Sequence, residues 1–230
     1  MLEELNTPAY KIASFELTDL PLIKYVAKTK KPLLMSTGMA SEEEIHEALV
    51  TAKEAGSDQI LLFHCISSYP APIEQANLKQ MISLKDKFEV AVGLSDHTIG
   101  NTAAIAATAL GASAIEKHFT LSRNDKGPDS EFSIEPAELK DLSSQINDSW
   151  SGLGSMTFDR PSAEQGSKVF RRSLYFVQDL KAGHVITQND IRRIRPGHGL
   201  APKYFDDLLG LMLSSDVHRG QPVGWDVINK

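Results

Sequence analysis

The stretch FEVAVGLSDHT, residues 88–98, decides the fold: a short Val- and Leu-rich run that stops abruptly on Ser95, Asp96 and His97. Such a run reads as a strand buried in a parallel sheet. Four runs of the same type start at Ala9 (AYKIAS), Pro32 (PLLMST), Gln59 (QILLFH) and Ser113 (SAIEKHF), so successive starts lie 23, 27, 29 and 25 residues apart. That spacing leaves room for one helix and two short loops per strand, which is a βα repeat. The interval after the second run fits: Ser41 is placed as N-cap of EEEIHEALVTAKEAG, Glu44 holds the capping-box position and Gly56 marks the stop. A further helix is predicted in IEPAELKDLSSQINDSW, after the fifth strand.

Each predicted strand ends on residues capable of chemistry. Lys11, Ser14 and Glu16 close the first, Ser36 and Thr37 the second, and His64, Ser67, Ser68 and Tyr69 the third; Ser95, Asp96 and His97 close the fourth, Lys117 and His118 the fifth. In a parallel barrel these ends converge on one mouth, where active sites of that fold are built. Five strands do not close it. At about 26 residues per unit, eight strands need about 210 residues before the final helix, which puts about three units ahead of Ala9. Two alternatives stand: an open five-stranded sheet, or the back part of a longer chain.

Residues 151–168, SGLGSMTFDRPSAEQGSK, have no apolar period and read as a linker between a 1–150 domain and a 169–230 domain. The latter, with short strands and turn signals such as Lys181-Ala182-Gly183, reads as mostly β. The 230 residues contain one cysteine, Cys65, which excludes an internal disulfide framework. A net charge of -6 gives no general attraction to nucleic acid. No apolar stretch reaches the roughly 18 residues that span a bilayer, and the start MLEELNTPAY lacks a signal-peptide profile, so the sequence reads as cytoplasmic with no membrane partner.

The strings KIASFE, LMSTGM, FHCISSYPAP, GLSDHT and IEKHFT, followed by GPDSEFS, RRSLYFV and IRPGHG, together resemble the sialic acid synthase family, from about Tyr10 to the end. The resemblance implies the C-terminal five βα units of a (β/α)8 TIM barrel followed by a small antifreeze-like (SAF) domain. It implies condensation of phosphoenolpyruvate with an amino-sugar aldehyde to a nine-carbon sugar acid. Within the family, GPDSEFS and RRIRPGHGLAPKYFDDLLG resemble the pseudaminic acid branch, whose sugar is a 2,4-diacetamido-2,4,6-trideoxy hexose of the altrose type. The N-acetylneuraminate and legionaminate synthases are the alternative, as is an inactive remnant that binds ligand or a partner chain. The family's first three barrel strands have no counterpart here, and the 230-residue chain alone is expected to be inactive.

By the same resemblance Lys11, Ser14, Ser36 and Ser95 bind phosphoenolpyruvate, Ser67 stands where N-acetylneuraminate synthases carry Asn, and Tyr69 and Asp129 face the sugar. His97 and His118 are expected to hold a divalent metal, Mn2+ ahead of Co2+ or Mg2+, with open positions for water and substrate. His64, a third ligand by strand-end position alone, is left structural by the resemblance. Glu16 is expected to be a buried carboxylate of raised pKa that passes a proton. Arg195 matches an arginine that reaches the partner's sugar site in a domain-swapped homodimer.

Overall fold

The structure is a computed structural model that describes residues 2–229, divided into a first unit running to Ser155 and a second starting at Met156. In the first unit five parallel strands, β1 (Tyr10–Ile12), β2 (Leu33–Ser36), β3 (Ile60–Cys65), β4 (Ala91–Asp96) and β5 (Ile115–Lys117), lie in sequence order. They alternate with α1 (Leu20–Ala27), α2 (Glu42–Glu54), α3 (Gln80–Phe88) and α4 (Thr102–Ala109), and α5 (Pro136–Gly152) follows β5. The five predicted strands are thus all present, and all are parallel.

The local chemistry explains the boundaries. Ser41 Oγ accepts the Glu44 N–H at 3.2 Å while Glu44 Oε2 accepts the Ser41 N–H at 2.7 Å, so two orphan donors at the start of α2 are satisfied reciprocally. Past its end Gly56 adopts φ +102°, a left-handed conformation that a side chain resists.

Period-two alternation sorts each strand into two faces. Tyr10, Leu33 and Ile60 are register partners, as are Ile12, Met35, Leu62 and Val92; all are buried against Ile23, Ile45, Leu49, Met81 and Leu84 of the helices. Each fully buried Leu or Met contributes about 2 kcal/mol on transfer from water. The opposite face carries Lys11, Ser36, Phe63, Cys65, Gly93, Ser95 and Glu116. A Cβ on Gly93 would lie 2.6 Å from the Ala114 carbonyl oxygen and 2.7 Å from the Phe63 ring, so glycine there makes room for both.

The sheet is curled, and one contact proves it. Lys11 on β1 and Glu116 on β5 belong to the two outermost strands, about 19 Å apart were the sheet flat. Their side chains nevertheless meet at 2.5 Å across the concave face.

In the second unit β6 (Ser173–Phe176) and β7 (Ile191–Ile194) pair antiparallel, and isolated bridges tie Leu180 to Val217, Val185 to Met212 and Leu213 to Ile228. Its own core holds Leu174, Phe176, Ile186, Ile191, Leu208, Leu213 and Val223, with one short helix, α6 (Phe205–Leu208). The turn at Lys181-Ala182-Gly183 closes with His184 N–H donating to Lys181 O, Gly183 taking φ +86°. Part of the stretch read as a linker is helical: α5 runs to Gly152, and residues 162–170 form a 3-10 helix that starts after Pro161.

Candidate active site on the concave face

At the carboxyl ends of the strands the concave face gathers four groups in a chain. Lys11 Nζ donates to Glu116 Oε1 at 2.5 Å and Oε2 at 2.6 Å; Ser95 Oγ donates to Glu116 Oε1 at 2.7 Å; His97 Nε2 lies 3.4 Å from Ser95 Oγ. Lys11 Nζ also sits 5.1 Å from the centre of the Phe63 ring. Burial opposes ionisation of Glu116, but the Lys11 and Ser95 donors overcome it and hold the carboxyl below its usual value.

Next to this chain is a cradle of small groups. Gly38 N–H donates to Ser14 Oγ at 3.1 Å, and Ser14 Oγ lies 3.0 Å from Cys65 Sγ. A Cβ on Gly38 would come within 2.8 Å of Cys65 Sγ and Ser14 Oγ and would collide with Ser67 Oγ. The hydroxyls of Ser36 and Ser67 are buried without a hydrogen-bond partner. Buried hydroxyls left unmade are costly, so two of them, on Ser36 at the end of β2 and on Ser67 just after β3, point to an acceptor that the strand ends receive.

Four rings form the other side of the mouth. Tyr69 packs on His97 with centroids 4.3 Å apart and on His118 at 5.6 Å; His97 and His118 stand 5.3 Å apart, and Phe132 lies 5.1 Å from His118. His97 Nδ1 donates to Ile66 O at 2.8 Å, which leaves the lone pair on Nε2. Burial pushes the His97 imidazole below its usual value, the Ile66 carbonyl opposes this and His118 adds to it, so the ring is neutral at physiological pH. Asp129 is exposed, with a carboxylate oxygen 3.6 Å from His118 Nδ1. Its neighbour Ser130 is buried and accepts the Gly127 N–H at 2.9 Å, which shapes the GPD turn from inside.

His97, with its free Nε2 lone pair, and His118 bring two imidazoles, with ring centroids 5.3 Å apart, of the donor type that divalent transition-metal ions take. Among the described residues no group of three or more His, Cys, Asp or Glu side chains has ligating geometry. His64 alternates to the helix side, where its Nε2 bonds Ala76 O at 2.8 Å.

One expectation is corrected. Glu16 is not buried: it is exposed, and its Oε2 accepts the Ala13 N–H at 2.8 Å within the 3-10 turn Ser14–Glu16. The half-buried carboxylate at the mouth is Glu116, which sequence reading passed over in IEKHFT although period two places it on the same face as His118. Phe132 and Gly38, both inside the quoted motifs, were also not singled out. In the second unit Arg195 is exposed.

The sequence model of the NeuB family matches residues 1–157 and that of the SAF domain residues 171–228. The chain is 40% identical over 231 residues to a pseudaminic acid synthase of Helicobacter pylori, covering 100% of this chain and 68% of that one. It is 43% identical over 213 residues to an N,N'-diacetyllegionaminic acid synthase of Campylobacter jejuni, covering 91% of this chain and 64% of the other. The crystal structure of an N-acetylneuraminic acid synthetase from Leptospira borgpetersenii superposes with a TM-score of 0.67 at 36% identity, over 72% of this chain and 58% of that one. The chain therefore spans about two thirds of the length of these curated relatives. With these matches joined to the curled parallel sheet and its polar mouth, the chain belongs to the NeuB family, the sialic acid synthases, with a SAF domain following in the sequence.

Proposed function

We propose that the concave face condenses phosphoenolpyruvate with an amino-sugar aldehyde, giving a nine-carbon sugar acid and phosphate. The observation that carries this reading is the pair of buried hydroxyls without partners, Ser36 and Ser67, at the carboxyl ends of β2 and β3, in the sheet whose concave face also carries Lys11 and Ser95. A phosphate and a carboxylate need a cation and several hydroxyl donors; Lys11, Ser14, Ser36, Ser67 and Ser95 supply them. Tyr69 and Phe132 offer the sugar an aromatic wall, and Asp129 accepts from a sugar hydroxyl. His97 and His118 would hold the divalent cation, Mn2+ in preference to Co2+ or Mg2+. When bound, that ion supplies Lewis-acid polarisation of the aldehyde oxygen. In the overall change carbon 3 of phosphoenolpyruvate bonds to the aldehyde carbon, water adds at carbon 2, and the bond from carbon 2 to the phosphate oxygen breaks. Glu116, ionised by its donors, is the carboxylate placed to accept a proton, while Glu16 orders the mouth through the Ala13 N–H. Arg195 completes the sugar site of a partner subunit in a cytoplasmic homodimer, its planar guanidinium suited to paired oxygens.

The preferred sugar is the 2,4-diacetamido-2,4,6-trideoxy hexose of altrose type, supported by the whole-chain likeness to a pseudaminic acid synthase. The 43% identity to a legionaminic acid synthase favours a second reading, in which a stereoisomer of that hexose is taken. Turnover is assayed in an enzyme of the relatives' full span carrying these residues; the 230-residue chain alone is expected to release no phosphate. Phosphate should appear faster with the altrose-type sugar than with its stereoisomers or N-acetylmannosamine. A faster rate with N-acetylmannosamine contradicts the branch, and a faster rate with a stereoisomer establishes the second reading.

A further inference from the structure

We infer that Lys117, Asp96 and Thr98 form a buried brace that sets the spacing of the His97 and His118 imidazoles and thereby how tightly that pair holds a cation; the inference rests on the two-histidine reading above. Asp96 and Lys117 are register partners on β4 and β5, and each immediately precedes one of the histidines. Their side chains leave the concave face by period-two alternation and are 1% and 4% exposed. Lys117 Nζ donates to Asp96 Oδ2 at 2.8 Å and to Thr98 O at 2.7 Å. Asp96 Oδ1 accepts the Thr98 N–H at 2.9 Å and the Thr98 hydroxyl at 2.7 Å. His97 is thus held on both sides by residues tied to Lys117, which is itself one peptide bond from His118.

Stability alone does not explain such a pair, because apolar side chains of similar volume commonly replace a buried ion pair without loss. Its specific property is that both charges are satisfied only in one register. β4 and β5 are joined by three pairs, Leu94 to Ile115, Ser95 to Glu116 and Asp96 to Lys117, so the brace is the last tie before the two histidines leave the sheet. Groups that fix the orientation of metal-binding histidines typically change metal affinity 10- to 100-fold. Lys117, Asp96 and Thr98 are positioning residues in this sense: none faces the substrate side.

The test is Mn2+ binding to the full chain, read from the free-ion electron paramagnetic resonance signal, together with the urea unfolding midpoint. His97→Ala should lose binding. Lys117→Met should lower both the midpoint and the affinity. The charge-free double variant Asp96→Leu with Lys117→Met should recover the midpoint yet bind Mn2+ at least 10-fold more weakly than the parent. A double variant that recovers both overturns the brace and leaves the histidine pair standing. If that variant does not fold, Thr98→Val decides: the ion pair stays, and binding several-fold weaker at a nearly parental midpoint supports the brace, whereas parental affinity overturns it. A parent that does not bind Mn2+, or a His97→Ala chain that binds as the parent does, overturns the two-histidine reading and the brace with it.

Discussion

Lys11→Ala is expected to weaken phosphoenolpyruvate binding by about 100-fold or more, measured by calorimetry at pH 7.5. In the parent the ammonium and the Glu116 carboxylate are in contact, and an incoming anion shares that cation. Removing the ammonium takes away a charge-assisted bond of about 1.5–3 kcal/mol. It also leaves Glu116 facing the ligand's negative charges, and two like charges at about 4 Å repel by roughly 4 kcal/mol at an effective dielectric constant near 20. Even a fraction of that repulsion, added to the lost bond, exceeds the 2.7 kcal/mol that corresponds to 100-fold. The pH dependence has a definite sign. Donors from Lys11 and Ser95 hold Glu116 low in the parent against its burial, so their stabilisation is present above pH 4.5 and is lost as pH falls through the lowered value. In Lys11→Ala the burial is opposed only by the Ser95 bond and the weaker pull of His97, so the carboxyl titrates at higher pH than in the parent, and lowering the pH should recover part of the binding. Equal affinity of variant and parent at pH 7.5 would remove Lys11 from the site.

Asp190→Ala is expected to destabilise the second unit by about 3 kcal/mol and to lower its melting temperature by more than 10 °C, read by calorimetry. Asp190 is 2% exposed and satisfies four donors: the Thr187 N–H at 2.6 Å, the Thr187 hydroxyl at 2.8 Å, His184 Nε2 at 3.0 Å and the Gln178 amide. Alanine leaves those donors without an acceptor in a unit of modest size, where 3 kcal/mol is a large part of the total. Burial alone would raise the carboxyl, but bonds from His184, Thr187 and Gln178 lower it from 3.8 to about 2. That difference corresponds to about 2.5 kcal/mol of stability, complete above pH 4 and lost as pH falls through about 2. Asp190→Asn keeps the shape and removes the charge, so it should lose the acid transition while costing less than alanine. Parental melting of Asp190→Ala would show that these bonds carry no net stability.

The strands were legible because buried parallel strands are written as short apolar runs at helix-plus-loop spacing, and tertiary packing did not override that pattern at Ala9, Pro32, Gln59, Phe88 or Ser113. The mouth was legible where residue type and strand end coincide, as at Lys11, Ser95, His97 and His118. Two failures have physical causes. Glu16 was read as an extension of a strand, but the chain bends into a 3-10 turn at Ser14, where alternation no longer applies and the carboxylate folds back on the Ala13 N–H. Glu116 was overshadowed by Lys117 and His118, although two-residue alternation sends Lys117 to the helix side and Glu116 to the mouth. The meeting of Ser14, Gly38, Cys65 and Ser67 joins segments up to 53 residues apart and depends on how far the sheet curls, which no local pattern encodes. The 3-10 helix over residues 162–170 lies in a polar stretch with no buried face, so it leaves no hydrophobic period to read.

Phosphoenolpyruvate binding to Gly38→Ala, followed by 31P NMR titration beside far-ultraviolet circular dichroism, asks most directly whether the serines at the strand ends form the anion site. The added methyl would displace the Ser67 hydroxyl and press on Cys65 Sγ and Ser14 Oγ, its nearest neighbours all being side-chain atoms. The expected result is an unchanged dichroism spectrum with phosphoenolpyruvate affinity reduced 10-fold or more relative to the parent. A folded Gly38→Ala chain that binds phosphoenolpyruvate with parental affinity would place the anion elsewhere and contradict the assignment of the concave face as the condensation site.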